Sequence, residues 1–331
     1  MQLTRKFSDI FFEIFRKIGR EESYINFIKT LNDNSNYKKN FEDVKSFLKE
    51  KNTPLFKTVE IETINRCNGR CSFCPVNKFE DTRKLKIMDE EMFNNIISQL
   101  KEIDYNGHIV LYSNNEPFLD KRLIKFIKIV KQSLPDAYHS TATNGTLLTI
   151  DKFKKIIDSL DLLAIDNYND DLKLIKPVEK IYNYCLKNPE YQKKVHIYRR
   201  LENQIMDTRG GYANNRKSIK TMKSTCFRPF SQFIIRPTGE ISLCTNDPLG
   251  KVTMGSLKEN TMLEIWNNKK YQDIRQKLSQ EKYGRRNIEI CSKCDAPGYL
   301  LMFKETEAEI LNSWKKSIQK EISGKNIIKP K

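Results

Sequence analysis

The chain has 331 residues, eight cysteines, and 59 Lys and Arg against 42 Asp and Glu, a formal charge of +17. Its length points to two domains, and with no apolar stretch of membrane-spanning length and no secretory signal it reads as a cytoplasmic protein with reduced thiols rather than a membrane-spanning or disulfide-stapled secreted one. The charge favours a polyanionic or phosphorylated partner, but it is spread along the chain without the aromatic-basic interleaving of a single-strand-binding surface, so nucleic acid is not the expected partner and genomic bias explains the Lys and Asn content equally well.

Residues 1–20 place Phe7, Ile10, Phe11, Ile14, Phe15 and Ile18 on one side of a helix, with Arg5, Lys6, Arg16, Lys17 and Arg20 around it. Such a helix covers the core or lies on a membrane surface, the second being a membrane-peripheral alternative. Further apolar stripes, Tyr24, Phe27, Ile28 and Leu31, then Phe41, Val44, Phe47 and Leu48, extend it into a helical cap over 1–50. A first strand follows at 57–64. Helices predicted at 88–102, 119–133, 149–160 and 173–187 then alternate with strands at 108–112, 137–143, 161–166 and 193–200. Alternation of this length predicts βα units over 51–210, a parallel sheet with helices outside it and chemistry at the carboxyl ends of the strands.

Cys67, Cys71 and Cys74 stand at Cx3Cx2C spacing directly after the first strand. Three thiolates are one short of a closed tetrahedral site, so a metal held there keeps an open position, and a [4Fe–4S] cluster keeps one iron free. A zinc knuckle or three unrelated cysteines is the plainer reading. The spacing, with Phe73 just before the third cysteine, resembles the radical S-adenosylmethionine (radical SAM) superfamily. That resemblance implies an α/β fold, a partial (β/α)6 TIM-like barrel open on one side. It also implies a [4Fe–4S] cluster on Cys67, Cys71 and Cys74 whose free iron chelates SAM, with Phe73 packed beside adenine.

The later strand ends extend the resemblance. Residues 113–117, Ser-Asn-Asn-Glu-Pro, resemble the family's Gly-Gly-Glu-Pro stretch that meets the SAM amino group. Asn114 and Asn115 replace the glycines while Glu116 and Pro117 are intact. An Asn-rich turn with a solvated acid is the alternative. Thr143 and Asn144, ahead of Gly145, resemble the segment lining the same cleft and are expected to reach the ribose or the methionine carboxylate. Asp166 and Tyr168 are expected on the substrate side, with helix capping the alternative for Asp166.

At 207–211 the run Asp-Thr-Arg-Gly-Gly predicts a tight approach or unusual dihedral angles and marks the passage to a second domain over 211–331. Cys185 lies in a helical pattern and reads as a buried small apolar residue. The other four cysteines form Cys226-x17-Cys244-x46-Cys291-x2-Cys294. A hairpin at 233–243 can return Cys244 toward Cys226, and one helix over 258–279, carrying Trp266, can bring Cys291 and Cys294 back. Four thiolates close a tetrahedral site, and ligands alone leave both zinc and a fully ligated cluster open. The arrangement resembles the twitch auxiliary domain, related to the SPASM domain of radical SAM enzymes, with a small β-hairpin and helix. With no cysteine after Cys294, it implies one auxiliary [4Fe–4S] cluster.

Taken together, the two cysteine sets resemble radical SAM aminocyclitol dehydrogenases of the 2-deoxy-scyllo-inosamine type. The resemblance implies a SAM-derived radical that removes hydrogen from the carbinol carbon of a sugar, cyclitol or phosphate-bearing saccharide. It further implies an auxiliary cluster that accepts the second electron and an external flavodoxin or ferredoxin as reductant. Arg209, 17 residues before Cys226, resembles the arginine near the substrate hydroxyl in that group. A guanidinium is a poor base, so anchoring the hydroxyl or a developing oxyanion is the expected role, against a surface or phosphate-binding arginine. One alternative is a peptide or protein maturase that forms a cross-link, an epimer or formylglycine. Another is a non-catalytic iron–sulfur module for nucleic acid or membrane, which leaves Glu116, Pro117 and the open-site spacing unexplained. Residues 299–331 read as a lysine-rich helix.

Overall fold

The computed structural model describes residues 44–50, 53–76, 81–213, 215, 221–222 and 225–296. The amphipathic stretch at 1–20 and the lysine-rich segment at 299–331 lie outside the described residues. Of the predicted cap only 44–50 lies inside, helical over 44–49.

Five parallel strands form the expected series: β1 (Thr58–Ile61), β2 (His108–Val110), β3 (Tyr138–Thr143), β4 (Leu162–Tyr168) and β5 (Val195–Arg200). Between them run α1 (Glu90–Glu102), α2 (Leu123–Ser133), α3 (Ile150–Ile156) and α4 (Lys176–Lys187). The segment predicted as a separate hairpin instead extends the sheet. Its first strand, β6 (Gln232–Ile235), lies parallel to β1 on the side away from β2, and β7 (Glu240–Ser242) and β8 (Thr253–Ser256) follow antiparallel. The order is β5-β4-β3-β2-β1-β6-β7-β8. The result is an open parallel α/β sheet of partial TIM-barrel type.

Local sequence explains the helices. Asp89 caps α1 by accepting from Met92 N at 2.7 Å, Glu90 and Glu91 occupy its positive end, and Phe93, Ile96, Ile97 and Leu100 are buried. Phe93 stacks on Phe126 of α2 with centroids 3.9 Å apart, each aromatic contributing about 1.5–3 kcal/mol by burial. Two predicted helices are interrupted. The one at 119–133 begins as a 3-10 turn, Pro117–Leu119, before α2, because Asp120 takes the Arg122 amide at 3.0 Å and redirects the chain. The one at 258–279 divides into α5 (Met262–Trp266) and α6 (Lys269–Leu278), because Asn268 caps α6 through the Tyr271 amide. A last short helix, α7 (Glu289–Ser292), carries Cys291.

Strand alternation sorts side chains onto two faces. Val59, Ile61, Ile109, Leu111, Leu163, Ile165, Phe233 and Ile235 join the helix-covered core. The other face is polar. Register sets Thr58 beside His108 and Gln232, Glu60 beside Val110 and Ile234, Asp166 beside Tyr198, and Tyr168 beside Arg200. Cys185 is buried in the core, as expected of a small apolar residue.

Candidate active site between two cysteine sets

The loop after β1 is pinned before the first cysteine. Asn65 Nδ2 donates to Lys84 O at 2.8 Å, and its Oδ1 accepts from Lys86 N at 2.9 Å. Cys67, Cys71 and Cys74 are half-exposed. The Gly69 amide donates to Cys67 Sγ at 3.2 Å. A Cβ on Gly69 would sit 3.3 Å from Cys67 Sγ and 3.8 Å from Cys71 Sγ, so glycine lets the loop wrap closely around two sulfurs. Burial, then Cys74 and Cys67, push the Cys71 thiol up to about 12; burial also takes Cys67 up to about 11. Thiols in such company ionise readily only against a cation. Phe73 is buried, with its ring centroid 5.8 Å from that of Tyr168. Behind the loop, Ser72 N donates to Glu202 O at 3.0 Å.

Glu116 organises the neighbouring strand ends. Its Oε1 accepts from Thr143 Oγ1 at 2.7 Å and Phe118 N at 3.1 Å, and its Oε2 from Asn144 N at 2.8 Å. Burial raises its pKa, against these donors. Thr143 is itself committed, since it also accepts the Gly145 amide at 3.1 Å. Asn144 Nδ2 donates to Asn68 Oδ1 at 2.8 Å and approaches Cys67 Sγ at 3.8 Å. These bonds tie the end of β3 to the cysteine loop, and one lone-pair direction of Glu116 Oε2 remains for a ligand donor. The Asn-rich turn is therefore not a solvated one. Asn114 and Asn115 are buried: Asn114 Nδ2 reaches Thr245 O at 3.0 Å, and Asn115 Oδ1 accepts from Ser113 N while its Nδ2 has no hydrogen-bond partner among the described residues.

Asp166 does not cap a helix. It pairs with Arg200 Nε of β5 at 2.6 Å on the polar face. Burial raises the Tyr168 pKa above its ordinary range, so its hydroxyl stays protonated. Arg209 has φ +49° and is followed by Gly210 and Gly211 at +65° and +95°, the unusual dihedral angles that the glycine pair predicted. A left-handed non-glycine residue is costly and marks a constrained position. The Arg209 Nη2 donates to Asn114 Oδ1 at 2.9 Å. Burial opposes its charge, but Cys74, Asp207 and Tyr112 more than restore it, raising the pKa.

Two residues of the polar face had escaped the sequence reading. Glu60 is 8% exposed, its Oε1 accepts from Thr245 Oγ1 at 2.9 Å, and its Oε2 has no hydrogen-bond partner among the described residues. Burial raises its pKa, opposed by the nearby Ser113 and Thr245 hydroxyls and by Arg228 and Arg209. Tyr112 lies among Arg209, Asp166, Cys74 and Cys67, with its pKa raised by burial. The sequence signal for Glu60 was the run of polar residues Thr58, Glu60 and Glu62 at every second position of a strand that a covered parallel sheet should not expose to bulk water, whereas Tyr112 follows apolar Val110 at that spacing and carried no such signal.

Cys226, Cys244, Cys291 and Cys294 are buried and line one cavity with Gly210, Arg228, Asn246, Arg285, Ile290 and Ala296. A Cβ on Gly210 would come within 2.5 Å of Ile290 Cγ1, so the left-handed glycine lets this wall close. Asn246 Nδ2 approaches Cys294 Sγ at 3.5 Å. Burial and the other sulfurs raise the Cys244 thiol. Among the described residues no three His, Cys, Asp or Glu side chains converge on one ion. Four buried cysteines around one cavity supply the four thiolates that a fully ligated cluster takes.

A model of the radical SAM superfamily matches residues 61–202, and a model of an iron–sulfur cluster-binding domain, SPASM, matches 226–295. The chain carries a radical SAM domain and a SPASM domain. A curated S-adenosyl-L-methionine-dependent 2-deoxy-scyllo-inosamine dehydrogenase from Niallia circulans is 25% identical over 243 residues, 73% of this chain and 93% of that protein. The crystal structure of BtrN in complex with AdoMet and 2-DOIA superposes with a TM-score of 0.64 at 22% identity, over 75% of this chain and 98% of that one. His-tagged anSMEcpe with bound AdoMet gives a TM-score of 0.51 at 12% identity, over 83% and 96%. Likeness at these identities speaks to the fold.

The radical SAM domain brings a SAM-binding [4Fe–4S] cluster, and the SPASM domain brings auxiliary iron–sulfur. Two donor sets fit those groups. The three cysteines of the radical SAM domain are open toward the polar face, and the four in the SPASM region are enclosed. Arg209 stands between, in electrostatic reach of Cys74 and hydrogen-bonded to Asn114.

Proposed function

We propose that the chain is a radical SAM dehydrogenase that oxidises a secondary alcohol on an aminocyclitol or sugar ring. The observation that carries this reading is the set formed by Arg209, Tyr112 and Glu60 on the polar face between an open and an enclosed cysteine set. The name of the Niallia circulans relative supports it. In this reading Cys67, Cys71 and Cys74 hold the SAM cluster, and Cys226, Cys244, Cys291 and Cys294 hold one auxiliary [4Fe–4S] cluster. When bound and reduced, the SAM cluster supplies a 5′-deoxyadenosyl radical that abstracts hydrogen, and the auxiliary cluster accepts one electron.

The chain's own residues orient and deprotonate. Arg209, fixed by Asn114, donates to the substrate oxygen and stabilises negative charge as it develops. Glu60 offers an unpartnered carboxylate oxygen with a raised pKa, the combination a proton acceptor needs. Such an oxygen also suits a hydroxyl or ammonium of the ring better than a phosphate. Asp166 fixes Arg200, and Tyr168 packs on Phe73, so both shape the substrate wall. Phe73 and Asn144 border the SAM side, Glu116 offers its remaining lone pair to the SAM ammonium, and Thr143 and Asn115 position that acid and its loop.

Anaerobic reconstitution with a low-potential donor such as flavodoxin or ferredoxin, followed by a panel of cyclitols and sugars, tests the proposal. Product lighter by two hydrogens, matched by equimolar 5′-deoxyadenosine, is expected. Substrate of unchanged redox state, or turnover confined to a peptide, overturns it.

A further inference from the structure

Among the described residues four arginines are buried, and their partners divide them. Arg236 pairs with Glu62 at 3.1 Å and donates to Ser242 Oγ. Arg275 donates to Pro229 O and Trp266 O and lies 4.0 Å from the Trp266 ring and 4.6 Å from that of Tyr271, with Nη2 lacking a hydrogen-bond partner among the described residues. Among the described residues Arg228 and Arg285 have neither a paired carboxylate nor an aromatic ring against them. Arg285 is 2% exposed and gives Nη1 to a carbonyl, that of Ala296 at 2.9 Å, leaving Nε and Nη2 buried without hydrogen-bond partners among the described residues. Arg228 is 9% exposed, with Nε buried and without a hydrogen-bond partner among the described residues. Neither makes an ion pair with a carboxylate among the described residues. Asp207, in reach of Arg228, accepts from the Asn246 side chain and the Arg209 amide.

An unpaired buried guanidinium is among the costliest groups a fold can carry. Both line the four-cysteine cavity. Cys226, Cys244 and Cys294 act on Arg228, and Arg285 acts on Cys291 and Cys294. A [4Fe–4S] core in its oxidised state with four thiolates carries a charge of about −2, and about −3 after taking one electron. Two guanidiniums match the first charge and favour the second.

We infer that Arg228 and Arg285 are the counter-charges of the auxiliary cluster, and that together they raise its reduction potential so that it serves as an electron acceptor. The inference rests on the reading that the four cysteines hold that cluster, and deepens it. The couple involves one electron and no proton. Net charge is one of the protein's levers on such a potential, and both residues supply it from the cavity wall. They are positioning residues for electron transfer and touch no substrate.

The test is a dithionite titration of the full chain, anaerobically reconstituted, with the auxiliary signal followed by electron paramagnetic resonance. Replacing Cys67, Cys71 and Cys74 by Ala in the background isolates that signal. Arg228→Gln and Arg285→Gln are each expected to shift the midpoint negative by a tenfold or greater change in the oxidised-to-reduced ratio, ~59 mV for a one-electron couple. The Lys variants at both positions should stay within threefold of the parent. A Gln variant that retains its iron with an unmoved midpoint overturns the inference. Where a Gln variant fails to retain iron, recovery of loading and midpoint by Lys supports a charge role, and failure of Lys as well overturns it at that position. If the parent itself binds no auxiliary cluster, the cysteine assignment fails, a result distinct from an unmoved midpoint.

Discussion

Cys67, Cys71 and Cys74 are half-exposed at the mouth of a polar cleft, whereas Cys226, Cys244, Cys291 and Cys294 are enclosed with two buried guanidiniums. The loop of the first set is tied to the strand ends by Asn side chains and the buried Glu116. The second set is closed by apolar packing, with Ile290 against Gly210. Thiolates in the open setting can share their metal with a ligand. Those in the closed setting can exchange charge but not ligands. Arg209 belongs to both, with its guanidinium near Cys74 and the following glycine in the wall of the second cavity.

Removing one sulfur from each set gives the largest effects and tests that division directly. Cys71→Ala should abolish SAM cleavage to background while iron falls from about eight to about four per chain. Cys291→Ala should leave 5′-deoxyadenosine formation within a few-fold of the parent, yet lower oxidised product per deoxyadenosine at least tenfold. Both quantities come from one anaerobic assay read by mass spectrometry. If the two variants lose cleavage and product in parallel, the two sets are not divided between initiation and electron acceptance.

A smaller effect concerns the cleft between them. Burial holds the Glu60 pKa above 4.5, so the carboxylate forms only as pH rises past that value. Activity that needs this carboxylate should climb with pH through its raised pKa, giving an acid limb in kcat/KM that Glu60→Gln removes. Stability should move the opposite way. In the window between 4.5 and the raised value the native state binds more protons than the unfolded chain, so stability falls as pH rises and Glu60→Gln flattens that slope. A limb that survives the substitution assigns the base elsewhere.

Much of this was legible from the sequence because its determinants are local. Val59, Ile61, Ile109 and Leu111 announce strands by alternation, and the helices between them by 3.6-residue periodicity and caps such as Asp89. Spacing alone grouped the cysteines. What stayed hidden depends on long-range pairing. The joining of β6 to β1 unites residues 58–61 with 232–235, and no property of either segment names the other. That pairing sets Glu60 beside Ile234 and brings Thr245 within hydrogen-bond reach of it. Arg228 and Arg285 are two of 59 basic residues, and only the packing of Cys226, Ile290 and Cys294 around them separates them from a solvated surface.

The break between α5 and α6 was hidden for a different reason, and it supplies a control for the comparison. Apolar positions recur at helical spacing through Met262, Ile265, Trp266, Tyr271, Ile274 and Leu278, all buried, so periodicity does not register the interruption. The side chain of Asn268 makes it: Oδ1 takes the Tyr271 amide at 2.9 Å, and Nδ2 donates to Met254 O of β8 at 2.8 Å. Asn268→Ala removes a cap and a tether together, which should cost about 1–2 kcal/mol. A lower urea midpoint at unchanged slope would register it. Because Asn268 touches neither cysteine set, SAM cleavage and the yield of oxidised product per deoxyadenosine should both stay at the parent's values. A variant that shifted that yield without losing iron would show that the α5–α6 joint is coupled to the auxiliary site, and the comparison would then have to count it with the four cysteines.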